Sequence, residues 1–253
     1  MVAYREIAPS PRLAAAIECF WVGEAAGGPH RVTPDGCADI LFTGAALQLV
    51  GPMTAWRDFP LQEGQRLFGV RFRPGRWSTL AGAPADRLTD RLLPMHDLWG
   101  ARASRLAAQL AEAATAAQAI RVVEAAVPAP ADPSPIERAL AWLERRHGAA
   151  SMDELAGRAG LSPRQLRRVC LERTGLPPKF LARVLRFRHA LERLAAPAVN
   201  AGALAGLALD CGYYDQAHFI HEFRQFSGYT PAAPTDGRFF QSPAPSAAVT
   251  SAA

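Results

Sequence analysis

SMDELAGRAGLSPRQLRRVC, from Ser151 to Cys170, and LAGLALDCGYYDQAHFIHEF, from Leu204 to Phe223, decide the fold of this 253-residue chain. Each reads as an apolar-patterned helix, a glycine (Gly160, Gly212), a short turn and a second apolar-patterned helix. Ser151 with Glu154, and Ser162 with Gln165, have capping-box spacing, and Pro163 stands where a helix tolerates a missing N–H. A single tight helix pair is a common unit. Two in one chain, their glycines 52 residues apart, predict two helix-turn-helix units.

Outward from these stretches the punctuation stays helical. Pro178 to about Ala195 patterns as one long helix, with Leu181, Val184, Leu185 and Leu191 inward and Lys179, Arg183, Arg186, Arg188 and Arg193 largely outward. Ser134-Pro135-Ile136-Glu137 opens a further helix. Before it, VPAPADPSP (Val127–Pro135) holds four prolines in nine residues, which no helix continues through. The boundaries expected are a domain over 1–127, a proline-rich linker over 128–134 and an all-α domain over 135–235. The small, polar tail 236–253 is expected to be disordered.

The first half reads as β and then helical. Phe20-Trp21-Val22, Asp39–Phe42, Leu47–Val50 and Leu67–Phe72 are short β-rich runs between turn signals. In FGVRFRPG, Phe68, Val70 and Phe72 share one face and Arg71 and Arg73 the other, as in a half-buried strand. From Pro84 the pattern turns helical, and Ala101–Val127 is one helix or a helix pair. The predicted fold is therefore an α+β N-terminal domain, small and mostly antiparallel β with following helices. It precedes an all-α C-terminal domain in which a long helix joins the two helix-turn-helix units.

The formal charge is +5, and all the excess lies in residues 134–234, with 14 basic and 9 acidic residues. A polyanion is the partner this implies. Lys179 is the one lysine among 28 basic residues, so location informs more than arginine abundance. No stretch approaches a membrane span, and the N-terminus lacks a secretory pattern, which predicts a cytoplasmic protein that does not engage membranes. Cys19, Cys37, Cys170 and Cys211 form no CxxC pair, so neither a disulfide framework nor a metal site is expected. His30, Asp35 and Cys37 cluster without a ligand pair at standard spacing, and Asp35-Gly36 reads more simply as a turn. No cofactor is expected.

The second helix of such a unit enters the major groove with its first turns nearest the bases. In the helix 163–173 the surface residues Arg164, Gln165, Arg167 and Arg168 are expected base readers, Arg suiting guanine and Gln adenine. In the helix 215–226 the equivalents are Gln216, Ala217 and His221. Ser162, Arg173, Lys179, His218 and Arg224 are expected at phosphates, with a structural role equally open for His218. The first helix is the more basic, so the two units are expected to share the work unequally. The joining helix, roughly 27 Å long at ~1.5 Å per residue, would let one chain reach two successive major grooves.

These residues resemble the DNA-binding domain of the AraC/XylS transcriptional regulators over Ser134 to Pro234. The likeness is carried by Leu155-Ala156, Gly160-Leu161-Ser162, Leu166, Arg168, Gly175, Arg186, Ala190, Leu207-Ala208, Gly212-Tyr213, Asp215-Gln216, His218-Phe219, Phe223, Gly228 and Thr230-Pro231. Tyr213, Ala217 and His221 depart from the family's usual residues, and Gly202 and Gly206 fall in or near a helix usually built from better formers. PDGCADILF (34–42), GVRFRPG (69–75) and LTDRLLPMHDLWG (88–100) resemble the N-terminal domain of a subset of the family. The resemblance implies a regulator of transcription acting on double-stranded promoter or operator DNA, with RNA polymerase and a small-molecule effector as further partners, as a monomer or homodimer. Trp21, Trp56, Phe72 and Trp77 are the candidate effector-binding aromatics, with a core role as the competing reading. Two alternatives stay open. One is a DNA-repair protein that accepts alkyl groups on Cys37, although Asp35 and Asp39 would raise that thiol's pKa. The other is an effector-independent DNA binder. No motif of a hydrolase, zinc protease or phosphate loop is present, and no catalytic residue is expected.

Overall fold

The computed structural model describes residues 3–78, 83–195 and 204–231. Its N-terminal domain is a six-stranded antiparallel sheet in the order β1-β2-β5-β3-β4-β6. The strands are β1 (Ala3–Ile7), β2 (Ile17–Val32), β3 (Ala38–Phe42), β4 (Leu47–Val50), β5 (Arg57–Phe72) and β6 (Leu92–Pro94). Three helices follow: α1 (His96–Trp99), α2 (Ala101–Ala111) and α3 (Ala116–Ala126). Alternation along β5 puts Phe68, Val70 and Phe72 on the face where Leu106, Leu110 and Val123 of α2 and α3 complete the core. Thr115 ends the α2–α3 connection by capping α3 with Gln118, so the alanine-rich stretch is a helix pair.

Several elements differ from the sequence expectation. The strands β2 and β5 are 16 residues each, far longer than their apolar cores, because their outer arms pair with each other. Those arms contain Gly27, Gly28, Pro29, Pro60 and Gly64, a composition that reads as loop, and inter-strand hydrogen bonding supplies what propensity withholds. The strand β1 pairs along β2, and β6 pairs with β4 inside a stretch read as helical.

The second face of the sheet is the larger correction. Arg71 points away from the aromatic core, yet it is only 5% exposed. Register shifts at Ile17/Cys19 and Glu24/Ala26 mark irregularities in β2, and such bulges bend a strand. His30, Phe59 and Leu61 of the outer arms line the same cavity as Trp21, Asp39 and Arg71, so the hairpin closes over the face expected to be solvated.

Six helices make up the described C-terminal domain: α4 (Pro135–Arg145), α5 (Met152–Ala159), α6 (Pro163–Thr174), α7 (Pro178–Leu194), α8 (Leu204–Asp210) and α9 (Gln216–Ser227). Two cores flank α7. Leu181 and Leu185 pack with α4, α5 and α6, while Phe187 and Leu191 pack with α8 and α9. The tail 236–253 and Gly202 lie outside the described residues. Among the described residues no helix is long and apolar enough to cross a membrane.

The two domains are joined by buried polar contacts. Arg188 of α7 donates to both oxygens of Glu18, the Nη1–Oε2 bond at 3.2 Å. Arg76 meets Glu137 of α4 at 3.0 Å, Arg73 meets Glu144 at 3.3 Å, and the Thr89 hydroxyl donates to the Gly175 carbonyl at 2.8 Å. Arg31 reaches the Ser227 carbonyl at 3.4 Å and stacks on Trp56 and Tyr229. Gly36 sits so close to α7 that a Cβ there would lie 2.8 Å from Leu181 Cδ1.

Burial works against the Glu18 carboxylate, but Arg188 and Arg71 override it and hold its pKa at about 2 rather than 4.5. Because the folded value is depressed, the pair stabilises the protein above the ordinary carboxylate range and is lost as pH falls through about 2. Glu18→Gln leaves Arg188 buried without its counter-charge and is expected to cost about 3 kcal/mol near neutral pH. Urea denaturation across the acid range checks both effects. The variant should show a smaller loss of stability than the parent as pH falls from 4.5 toward 2.

Candidate nucleic-acid interface

The two helix-turn-helix turns are built alike, from the same backbone device. In the first, Gly160 takes φ +65° and the Leu161 N–H reaches the Ala156 carbonyl at 3.0 Å. In the second, Gly212 takes φ +79° and the Tyr213 N–H reaches the Ala208 carbonyl at 2.9 Å. Both are left-handed helix ends closed by a six-to-one hydrogen bond, which glycine adopts without a Cβ penalty. Each following helix is then capped by a side chain: Ser162 accepts from the Gln165 N–H, and Asp215 accepts from the His218 N–H at 2.7 Å.

On α6, Leu166 and Cys170 are buried in the core, while Arg164, Gln165, Arg167 and Arg168 are all exposed on one surface. Gln165 is not idle there. Its Oε1 accepts from both the N–H and the hydroxyl of Ser162, at 2.9 Å each, so reading a base or holding a phosphate would cost the pair this box. Arg168 leans toward Glu172 at 3.4 Å in an exposed i,i+4 pair, which water weakens, while Arg164 and Arg167 also stand on the open surface. Arg173 is half-buried and Lys179 is exposed at the start of α7.

On α9, Gln216, Ala217, His218, His221 and Arg224 are exposed. His218 is also held in place: its Nδ1 accepts from the Tyr214 N–H at 3.4 Å, and its ring stands edge-on to Tyr213. Tyr214, 86% exposed immediately before the Asp215 cap, is a candidate contact that the sequence reading passed over. Its signal was an aromatic residue at a turn position that the core does not use.

The charge distribution behind α9 departs from expectation. Glu222 is 1% exposed, not on the surface. It accepts from Arg183 Nε at 2.6 Å and lies 3.6 Å from Arg186 Nε, so two arginines expected to point outward from α7 are turned into the second unit. Arg186 also donates to the Gly212 carbonyl at 2.9 Å, which ties α7 to the turn itself. Removing the Glu222 charge leaves the two guanidiniums half-buried and unbalanced, and Glu222→Gln is expected to cost about 3 kcal/mol. Denaturation of the variant would show this, together with earlier exchange of α9 amides than of α6 amides.

The four aromatics proposed for an effector are not brought together. Phe72 and Trp77 lie in the helix-covered core, and Trp56 lies 38% exposed against Arg31 and Gly228. Trp21 alone lines a cavity, of about 360 Å³, on the other sheet face. Among the described residues no three of the His, Cys, Asp and Glu side chains could hold a metal ion.

All four cysteines are buried free thiols. Burial, then Asp35 and Glu18, push the Cys37 thiol well above its ordinary value, so the thiolate needed for alkyl transfer is suppressed. Cys37 is therefore expected to react with a disulfide reagent at neutral pH only after denaturation. Fast reaction in the folded protein would contradict this environment.

Two family models match separate parts of the chain. Residues 155–234 match the family model of a helix-turn-helix domain, and residues 5–94 match a domain of unknown function, DUF6597. The HTH-type transcriptional activator RhaS of Escherichia fergusonii is 33% identical over 103 residues, covering 39% of this chain and 35% of that protein. The DNA-binding domain of AdpA, solved in complex with a target DNA, is 26% identical over 40% of this chain and 88% of that one, at a TM-score of 0.36. ToxT from Vibrio cholerae O395 is 11% identical over 91% of this chain and 95% of that one, at 0.42. Residues 155–234 are thus a helix-turn-helix domain similar to those of AraC/XylS-type regulators, and residues 5–94 are a DUF6597 domain.

Proposed function

We propose that this protein is a sequence-specific DNA-binding regulator of transcription. The helices α6 and α9 would enter successive major grooves of promoter DNA, and the sheet domain over residues 1–127 would control them through a small molecule or a protein contact. The observation that carries this reading is the open outer surface of both recognition helices in the full chain: Arg164, Arg167, Arg168, Gln216 and His221 stay exposed with the sheet domain packed behind them. The helix α7, 17 residues or about 25 Å long, would with helix width added let the two units approach the ~34 Å between successive grooves.

A regulated binder is favoured over an effector-independent one because the sheet domain touches the C-terminal end of α6, the middle of α7 and the end of α9. A shift of that domain would move both units. The matched helix-turn-helix family points toward gene regulation rather than catalysis.

The test is selection of bound genomic fragments with the purified full chain, then fluorescence anisotropy on the selected site. Arg164→Ala and Arg168→Ala are each expected to weaken binding about tenfold or more, from the ~1–3 kcal/mol of a base-reading contact. Gln216→Ala and His221→Ala are expected to weaken it less. The reverse order would overturn the unequal division of work, and absence of any selected sequence would overturn the reading itself.

A further inference from the structure

The cavity on the second sheet face has a polar end and an apolar body. At the polar end Arg71 lies between three carboxylates, 3.1 Å from Glu6, 3.2 Å from Asp35 and 3.5 Å from Asp39. Their side chains are between 7% and 21% exposed. Glu18, close by, is already matched by Arg188. The remaining titratable neighbours are neutral near pH 7. Burial holds the Tyr4 phenol and the Cys37 thiol protonated, and it lowers His30 to about 4. The wall therefore sets two carboxyl groups, Asp35 and Asp39, against one guanidinium, whose charge is also met by Glu6 outside the lining. Away from that end, β3, β4 and β5 contribute Leu41, Val50 and Leu61. Trp21 lies flat across Gly69, where a Cβ would come within 1.9 Å of its ring, and its Nε1 donates to Asp39 at 2.7 Å. Tyr4 stands 5.9 Å from it, ring to ring.

We propose that this cavity binds an organic cation, an ammonium group on an apolar body, with Asp35 and Asp39 facing the charge and Trp21 and Tyr4 beside it. An anionic ligand would find its arginine already surrounded by carboxylates. A metal ion would find no converging set of ligands among the described residues. Ammonium groups favour aromatic faces and buried carboxylates alike. Burial pushes the Asp39 carboxyl up to about 7, with Asp35 and Glu18 adding to the rise against the pull of Arg71, so an ammonium beside it would draw its proton off near neutral pH.

The proposal rests on the regulator reading above and names its effector class. It also has a path to the DNA-binding domain. Asp35 Oδ1 accepts from the Cys37 N–H at 2.9 Å, Cys37 Sγ donates to Glu18 at 3.3 Å, and Glu18 holds Arg188 of α7. An ammonium that draws on Asp35 bears on α7 through these groups.

The test compares three probes of one shape on the full chain by thermal shift: phenethylamine, phenethyl alcohol and hydrocinnamate. Only phenethylamine is expected to raise the midpoint. Asp39→Asn should weaken it about tenfold or more, as loss of one charged contact would. Gln48→Lys, which places a tethered ammonium in the cavity from β4, should raise the midpoint on its own and abolish the amine response. Equal or greater stabilisation by the alcohol or the carboxylate, or none by the amine, would overturn the proposal. DNA anisotropy on the same preparations separates the two readings. DNA binding without amine preference removes the cavity assignment alone, whereas an amine shift without DNA binding removes the regulator.

Discussion

The ion pair between Glu18 and Arg188 connects the two halves of this molecule at the point where each is most constrained. Glu18 lies at the start of β2, beside the buried Arg71, and Arg188 lies midway along the helix that both helix-turn-helix units share. Burying two charges is costly, and the attraction offsets that cost only if the geometry holds and the remaining lone pairs are filled. Both conditions are met here. The guanidinium reaches both carboxylate oxygens, and Cys37 Sγ donates to one of them. Such a pair adds little net stability compared with apolar packing, but it penalises any other docking of the sheet on α7. The neighbouring contacts at Arg73, Arg76, Thr89 and Arg31 follow from that register.

The same logic explains why the recognition surfaces are free. The sheet domain contacts the back of the DNA-binding domain, through α4, α7 and the C-terminal ends of α6 and α9. The N-terminal turns of α6 and α9, where a groove would be read, face away from it. Within the second unit, Glu222 draws Arg183 and Arg186 inward, which lowers the positive charge that α7 presents outward. The proposed unequal division of work between the two helices would then have a buried carboxylate behind it as well as the surface composition of α9.

Much of the C-terminal domain was legible in the sequence, because its signals are local. Gly160 and Gly212, the capping residues Ser162 and Asp215, and the 3.6-residue spacing of Leu166 and Cys170 each act within a few residues of their own position. The candidate readers Arg164, Arg167 and Arg168 were visible for the same reason, as the part of α6 left over once its core face is assigned. Tyr214 escaped notice because aromatic residues usually signal burial, and only the packed structure leaves this one in solvent. The N-terminal domain was less legible. Its outer hairpin arms have no apolar alternation, and β6 is three residues long.

The sequence by itself determined the paired helix-turn-helix units, the joining helix and the surface arginines of the first unit, since helix caps, glycine turns and apolar periodicity are short-range chemistry. Only the tertiary structure decided that Arg71 is buried among carboxylates, that Trp21 is separated from Phe72 and Trp77 by the thickness of the sheet, and that Glu222 lies under α7. Those outcomes depend on which strand pairs with which and on which domain covers which face. Such contacts join residues as far apart as Glu18 and Arg188, beyond the reach of any local pattern.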